Sequence, residues 1–135
     1  LAEAAPGVTP ARSVRAGGRA PGTVSVGAVD EVAAVAARLA RERAGEHTSV
    51  GLVVPDPLRG SLGDVPPAVQ VVSPAEAKGL EFDAVVVAEP ALVVDAAPDR
   101  AAGLRLLYVA LTRAVQRLDV VHAEALPEAL VLSRP

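Results

Sequence analysis

Hydrophobic residues along the chain follow two patterns, one typical of buried strands and one typical of amphipathic helices. Short valine-rich runs without polar alternation indicate strands buried on both faces; they lie at residues 23–26, 49–54, 69–72, 84–88 and 117–122. Apolar residues at helical spacing, opposite charged ones, predict helices from about Asp30 to Gly45 and from about Arg100 to Val115. Proline and glycine residues separate these segments.

Buried strands that alternate with helices predict an α/β domain with a mostly parallel sheet of about five strands, flanked by helices. Two stretches are predicted to be irregular connections because they are rich in Pro and Gly or bracketed by Pro: residues 58–67 and 90–98. A length of 135 residues suits one domain. Residues 1–23 show no hydrophobic period and are predicted to be a linker or disordered tail, which leaves 24–135 for the domain.

Composition and charge exclude several classes of site. The chain has no Cys, so disulfides, thiolate zinc sites and a cysteine nucleophile are excluded, and its two His residues lead us to assign no metal. A net charge of -3 excludes a broad basic surface, so any nucleic-acid contact has to be local. No apolar run approaches the roughly 18 residues of a membrane span, and no secretory signal is recognisable. We therefore expect a cytoplasmic protein without a membrane partner and, because the chain does not begin with Met, a piece of a longer polypeptide.

Polar groups are concentrated between two of the predicted strands, in residues 69–87. Ser73 follows one strand, and Lys78, Gly79 and Glu81 precede the next. Because ligands bind at the carboxyl ends of parallel strands, we expect these groups to lie at that edge of the sheet. Lys78 and Glu81 could equally form a surface ion pair that contributes a few tenths of a kcal/mol.

A second segment, residues 104–121, joins the predicted amphipathic helix to the last strand. Thr112 and Arg113 are expected in the last helical turn. A cation there interacts favourably with the helix dipole, and beside a sheet edge it is well placed to reach an anion. On these residues alone, Arg113 could also be an ordinary helix-end charge.

Three residues within these segments have structural interpretations. Phe82 and Tyr108, the two aromatic residues of the chain, lie on apolar stretches and are expected in the core and not as stacking platforms. Asp83 is expected to cap a loop.

The sequence KGLEFD before an apolar strand, followed about thirty residues later by YVALTRA, resembles motifs V and VI of superfamily 1 helicases of the UvrD/Rep type. The resemblance extends over residues 24–125 and implies a RecA-like carboxyl-terminal motor domain of an ATP-driven, DNA-binding enzyme. It also implies roles for matching positions: Arg113 as the catalytic arginine finger that reaches the ATP γ-phosphate, Glu81 as the ribose contact, Gly79 as the residue that lets backbone approach the phosphates, Thr112 as the hydroxyl beside the finger, and Lys78 as the motif V lysine.

The same resemblance implies ATP and Mg²⁺ as cofactors, held mainly by a first RecA-like domain of the same polypeptide. This chain contains no GxxxxGK[ST] phosphate loop and no strand that ends in paired acidic residues. The chain alone is therefore expected neither to bind ATP tightly nor to hydrolyse it.

Two departures from the family pattern leave the partner open. The Thr-x-His that usually precedes the motif V lysine is replaced by Ser73-Pro74-Ala75, and Arg59 is only a weak match to the motif IV arginine. Nucleic-acid coupling would then depend on Ser73 and Lys78. The partner is DNA in a conventional helicase or translocase, and RNA polymerase in the HelD-like branch, which acts on the polymerase instead of a duplex. A non-catalytic RecA-like interaction module and a free-standing nucleotide-binding protein are the further alternatives.

Overall fold

The computed structural model describes residues 22–124, which form five strands and four helices. In chain order these are β1 (Gly22–Ser25), α1 (Val29–Ala44), β2 (Val50–Val53), α2 (Asp56–Arg59), β3 (Val69–Val72), β4 (Phe82–Ala88), α3 (Pro90–Asp95), α4 (Arg100–Leu111) and β5 (Ala114–His122). The tail predicted over residues 1–23 lies outside the described residues except for its last two, which belong to β1. None of the helices described is long and apolar enough to cross a membrane.

All five strands join one parallel sheet in the order β1-β5-β4-β2-β3. This confirms the predicted α/β class and the predicted strand number. The cause is visible in the sequence: β2 is buried at every position, as is β4 from Ala84 to Ala88. Such strands need a helix layer on both faces, which requires parallel strands with helical crossovers.

Two hydrophobic clusters cover the two faces of the sheet. In β4, Val85 and Val87 belong to the cluster formed with α3 and α4, whereas Val86 belongs to the one formed with α1 and α2. Helix α1 contributes mainly alanines to its cluster, so it lies close to the strands. Helix α4 contributes larger side chains to the other, including Leu104 and Leu107.

The second long helix ends earlier than the sequence predicts. Helix α4 stops at Leu111, not near Val115, and β5 begins at Ala114, three residues before the predicted start. The Thr112 hydroxyl lies 3.0 Å from the carbonyl oxygens of both Tyr108 and Val109. A continued helix would bond the Val109 carbonyl to the N–H of Arg113, which instead donates to Ala110. Ala114 then pairs with Phe82 of β4. Strand pairing therefore overrides the helical periodicity at these residues.

Two short helices are not predicted by the sequence: α3 lies within the stretch 90–98, which was predicted as a connection, and α2 ends inside the stretch 58–67. Each has proline in its first turn, where the fixed φ suits a helix and the missing N–H would have no intrahelical partner. Helix α3 packs closely on α4 because position 103 is glycine: a Cβ there would overlap the Val94 carbonyl. Both helices are single turns or little more, too short for a hydrophobic period to reveal them.

The carboxyl end of β4 is tied to the end of β5 by a buried glutamate. Glu89 is fully buried and has a left-handed φ of 45°. Its Oε1 accepts hydrogen bonds from the backbone N–H groups of Ala123, at 2.8 Å, and Glu124, at 3.1 Å. Its own N–H donates to the carbonyl of Val121 at 2.7 Å. This strained residue thus holds the two central strands together where they end.

A buried ion-pair network joins α1 to the centre of β5. Asp119 is 2% exposed, and its Oδ2 accepts a 2.8 Å hydrogen bond from Nε of Arg43 while its Oδ1 accepts one of 3.1 Å from Nη2 of Arg117. The hydrogen bond to Asp119 raises the pKa of Arg43 above its usual value. Gly22 lies against the carboxylate, and a Cβ there would come within 2.6 Å of Oδ1. The network therefore fixes α1, β1 and β5 relative to one another.

Replacing Asp119 with Ala should destabilise the fold strongly. The variant leaves the largely buried guanidinium of Arg43 with only the exposed carboxylate of Glu46 and removes the carboxylate partner of Arg117; breaking one side of a buried pair costs at most about 3–5 kcal/mol. The free energy of unfolding from urea titration measures this. Asp95→Ala, which removes an exposed carboxylate from α3, is the matched control and should change the free energy by less than about 0.5 kcal/mol. Equal effects of the two substitutions would contradict the structural role of the network.

Candidate functional site at the amino edge of the sheet

The two sequence motifs meet at the edge where the parallel strands begin. Lys78, Gly79 and Glu81 precede β4, and Thr112 and Arg113 precede β5. These strands are neighbours, and their first residues, Phe82 and Ala114, pair in register. Glu81 and Arg113 are therefore the residues directly before a paired position on two adjacent strands. We call this group of five residues, Lys78, Gly79, Glu81, Thr112 and Arg113, the amino-edge site.

The expectation that all these groups lie at the carboxyl ends of strands is wrong for the motif V residues. Ser73 follows β3 and does lie at the carboxyl edge. Because β3 and β4 are parallel, the chain must travel back to the opposite edge over residues 73–81 before β4 begins. The structure thus brings together the five residues of the amino-edge site and places Ser73 away from them.

Arg113 lies half-buried against the backbone of its own domain. Its Nε donates to the carbonyl of Val109 at 3.0 Å, its Nη2 to Oγ1 of Thr112 at 3.3 Å, and its Nη1 makes a longer contact of 3.5 Å with the carbonyl of Leu80. Its own carbonyl accepts a 3.0 Å hydrogen bond from the N–H of Phe82. The guanidinium therefore sits between motif VI and motif V, with no carboxylate bound to it among residues 22–124.

Thr112 orients this arrangement at the end of α4. Its hydroxyl has a single proton, which faces the carbonyls of Tyr108 and Val109, each 3.0 Å away. An oxygen lone pair is left to accept from Nη2 of Arg113. Threonine can donate to the helix end and accept from the guanidinium at the same time, because it carries a hydroxyl. A valine of the same shape could do neither.

Motif V presents an open, charged loop beside the arginine. Lys78, Gly79 and Glu81 are exposed, and within the described part of the chain neither charged group has a hydrogen-bonding or ionic partner, so the two do not form a surface pair. Gly79 has a φ of +85°, and a Cβ on it would meet nothing within 4 Å. Glycine is therefore required here for its left-handed backbone and not for lack of space.

The base of this loop is fixed by polar contacts between β2 and β4. The N–H of Asp83 donates to Oγ of Ser49 at 2.9 Å, and Oδ2 of Asp83 accepts from the N–H of Thr48 at 3.2 Å. This confirms the expectation that Asp83 caps a loop. Phe82 is buried and Tyr108 is half-buried against the core, as predicted for both aromatic residues.

Two of the three acceptors that hold Arg113 could not be identified from the sequence, because they are the backbone carbonyls of Leu80 and Val109, which every residue type carries. The third, Oγ1 of Thr112, belongs to a residue that the sequence did single out. The contact of Glu76 with Ser73, by contrast, could have been predicted from the sequence, because Ser73-Pro74-Ala75-Glu76 is a capping-box pattern.

The carboxyl edge carries a separate cluster around Ser73. The N–H of Ser73 donates to Oε1 of Glu76 at 2.7 Å, the N–H of Glu76 donates to Oγ of Ser73 at 3.2 Å, and Nη1 of Arg59 lies 3.2 Å from the same Oε1. The bond from the Ser73 N–H, followed by that from Arg59, lowers the pKa of Glu76 below its usual value. Beside this cluster is a largely apolar cavity of about 220 Å³; its lining includes Ser73, Pro55, Pro57, Pro74 and Leu106.

No group of three or more His, Cys, Asp or Glu side chains is arranged to hold a metal ion in the region from 22 to 124. The donor set at the amino-edge site fits a nucleotide in part. A free carboxylate can accept from ribose hydroxyls, and a guanidinium and an ammonium can donate to phosphate oxygens.

The Arg59→Gln substitution should raise the pKa of Glu76 part of the way back towards its ordinary value. The Ser73 N–H still stabilises the carboxylate, so some lowering should remain. The carboxylate bonds contribute to stability above the ordinary pKa of a glutamate and are lost as the pH falls through the lowered value. An NMR titration of the Glu76 side chain measures this, with Arg38→Gln on α1 as a control that leaves it unchanged. A Glu76 pKa that is identical with and without Arg59 would contradict the observed ion pair.

Comparisons with known proteins agree with this architecture. The chain is similar to the C-terminal domain of a possible DNA helicase from Lactobacillus plantarum WCFS1, whose crystal structure superposes with a TM-score of 0.62 at 22% sequence identity, covering 99% of this chain and 95% of that one. A search of curated proteins gives no match. Residues 69–121, which contain both motifs, match the model of the UvrD-like helicase C-terminal domain. Over these residues, which include β3, β4, α4 and most of β5, the chain is similar to the UvrD-like helicase C-terminal domain family.

Proposed function

We propose that this chain is the carboxyl-terminal motor domain of an ATP-dependent UvrD-like DNA helicase or translocase. It supplies Arg113 and Glu81 to ATP and Mg²⁺ bound mainly by a first RecA-like domain of the same polypeptide. The observation that carries the proposal is the register of β4 and β5, which puts Glu81 and Arg113 side by side at one edge of the sheet. One edge can therefore contact both the sugar and the phosphate end of one nucleotide.

Arg113 acts on the phosphate end. Bound ATP supplies the γ-phosphoryl group, on which negative charge develops during its transfer. A guanidinium is permanently protonated and carries several donors in a fixed fork, so it stabilises that charge without changing its own protonation. In the described structure these donors are held by Val109, Leu80 and Thr112. Engagement of the phosphate exchanges these neutral acceptors for a charged one, which forms stronger hydrogen bonds.

The motif V loop acts on the sugar end. The exposed carboxylate of Glu81 accepts from ribose hydroxyls, and the left-handed Gly79 turns the loop so that its backbone faces outward. Lys78, next to Gly79, adds an exposed positive charge. Thr112 keeps the end of α4 and Arg113 in one relative orientation.

Replacing Arg113 with Ala should lower the ATPase kcat of the full-length protein by about 10³–10⁵-fold, the range measured when arginine fingers are absent. The Arg113→Lys variant keeps the charge but loses the fork, and it should remain at least about tenfold slow. The control is Arg105→Ala, which removes an exposed arginine from the same helix. Steady-state hydrolysis of ATP, with circular dichroism to verify folding, makes the comparison.

An unchanged kcat in a folded Arg113→Ala variant would remove the motor proposal and favour a non-catalytic interaction module. Micromolar binding of ATP to this chain alone, measured by calorimetry, would instead favour a free-standing nucleotide-binding protein.

A second function, remodelling of RNA polymerase in the manner of the HelD-like branch, is favoured by the carboxyl edge. The polar groups of the Ser73 cluster bond one another: Ser73 with Glu76, and Glu76 with Arg59. Ala75 stands where the family has a histidine, so this edge offers few free donors to a nucleic-acid backbone. Coupling to nucleic acid through Ser73 and Lys78 would also have to use two opposite edges of the sheet.

Two assays on the full-length protein separate these functions. A DNA helicase should unwind a tailed duplex in the presence of ATP and show no affinity for RNA polymerase. A polymerase-remodelling ATPase should release stalled polymerase from its template and leave the duplex intact. In both cases Arg113→Ala should abolish the ATP-dependent step, which links either outcome to the amino-edge site.

A further inference from the structure

We infer that the sugar of the nucleotide controls the rate of hydrolysis, and not only binding, because the motif V backbone around Glu81 is one of the groups that hold Arg113 away from the phosphates. This inference rests on the proposed function of Arg113 and Glu81. It adds a positioning role for the Leu80 carbonyl, which lies between the ribose contact and the finger.

The contacts of Arg113 fall on both sides of Glu81. Its Nη1 contacts the carbonyl of Leu80, the residue before Glu81, and its own carbonyl accepts from the N–H of Phe82, the residue after. Arg113 thus clasps motif V at the two positions that flank the proposed ribose contact. We call these two contacts the clasp.

The two contacts of the clasp differ in strength. The bond from Phe82 is 3.0 Å long, and Phe82 is a residue of β4 that pairs with Ala114 of β5, so this contact resists displacement. The Leu80 contact is 3.5 Å long, the longest that Arg113 makes and longer than the usual N–H···O hydrogen bond, so it is the weaker of the two. A movement of Glu81 therefore lengthens the contact between Arg113 and the Leu80 carbonyl and leaves the bond from Phe82 in place.

The loop can move on that side because Gly79 is next to Leu80. Gly79 is exposed, in a left-handed conformation, and has open space where a Cβ would be. A glycine passes between left- and right-handed φ values without steric cost. When ribose hydroxyls bind Glu81, the Leu80 carbonyl can therefore turn away while β4 stays in place.

Withdrawal of the Leu80 carbonyl changes which conformer of the Arg113 side chain is favoured. The guanidinium is half-buried, and a donor there that loses its acceptor is destabilised. Conformers in which Arg113 extends towards the phosphates become more populated, since each state is favoured by the contacts it makes. A nucleotide without ribose hydroxyls leaves the clasp closed and the arginine retained.

The first test compares ATP with 2′,3′-dideoxy-ATP as substrates of the full-length protein. Loss of the sugar hydroxyls should raise KM and should also lower kcat by about two- to tenfold, the effect of one ordinary hydrogen bond. In Arg113→Ala the kcat difference between the two substrates should disappear, whereas the KM difference should remain. An effect confined to KM in the unmodified protein would overturn the inference.

Two glycine variants give a matched control. Gly79 and Gly63 both have positive φ, +85° and +70°, and a Cβ added to either residue would have no atom within 4 Å. Alanine at either site costs a similar amount of backbone energy. Only Gly79→Ala disturbs the loop beside Leu80, so it should shrink the kcat difference between the two substrates. Gly63→Ala should preserve it, and equal behaviour of the two variants would contradict the hinge.

A spectroscopic measurement tests the clasp without turnover. In full-length protein labelled with ¹⁵N-arginine, Arg113→Lys assigns the Nε–Hε signal of Arg113. Saturating ADP should shift this signal, because Arg113 is released by the ribose and not by a γ-phosphate, whereas 2′,3′-dideoxy-ADP should leave it in place. Equal shifts with both nucleotides would overturn the inference. An Arg113→Ala variant that hydrolyses ATP normally would instead show that the proposed function itself is wrong.

Discussion

The parallel pairing of β4 with β5 is the constraint on which the rest of this structure depends. Both strands lie inside the sheet, and their first residues, Phe82 and Ala114, are in register. Because β-strand side chains alternate with a period of two, a slip of one residue would turn the valines of both strands to the wrong helix layer. Between Phe82 and Ala84 the β4–β5 pairing is irregular, so the hydrophobic pattern fixes the valine core, and this irregularity sets the position of motif V relative to the turn that carries Arg113.

The two edges of the sheet differ in how their polar groups are used. At the carboxyl edge, Ser73, Glu76 and Arg59 bond one another and stabilise the turn. At the amino edge, Glu81 and Lys78 are exposed without a partner in the described region, and Arg113 is held only by neutral acceptors. Groups with unsatisfied charge and weak tethers are available to a ligand, whereas groups in a closed network are not. The amino edge is therefore the one better suited to bind a charged ligand.

The sequence predicted the strands and helices that have a periodic or continuous hydrophobic pattern. It missed the features that depend on contacts between residues distant in the chain. Valine runs identified every strand, because a strand buried on both faces must be apolar throughout. The predicted end of α4 was wrong because the apolar period of the helix continues past Leu111. The pairing of Ala114 with Phe82 decides where the helix ends. The edge on which Lys78 and Glu81 lie could have been predicted, because residues that precede a strand of a parallel sheet lie at its amino edge. The contact of Arg113 with Leu80 involves a backbone carbonyl, so no residue type could signal it.

Glu81 and Glu89 stand just outside the two ends of β4, a strand of 7 residues. At about 3.3 Å per residue, this strand spans roughly 23 Å. It is hydrogen-bonded on both sides, to β2 and β5, so it behaves as a stiff strut that does not stretch or slide along its neighbours. The carboxylate of Glu89 anchors the amides of Ala123 and Glu124 to the far end of that strut. A movement of the loop at Glu81 therefore stops at the first residue of β4, and the polypeptide leaves the sheet from a fixed position at the other end.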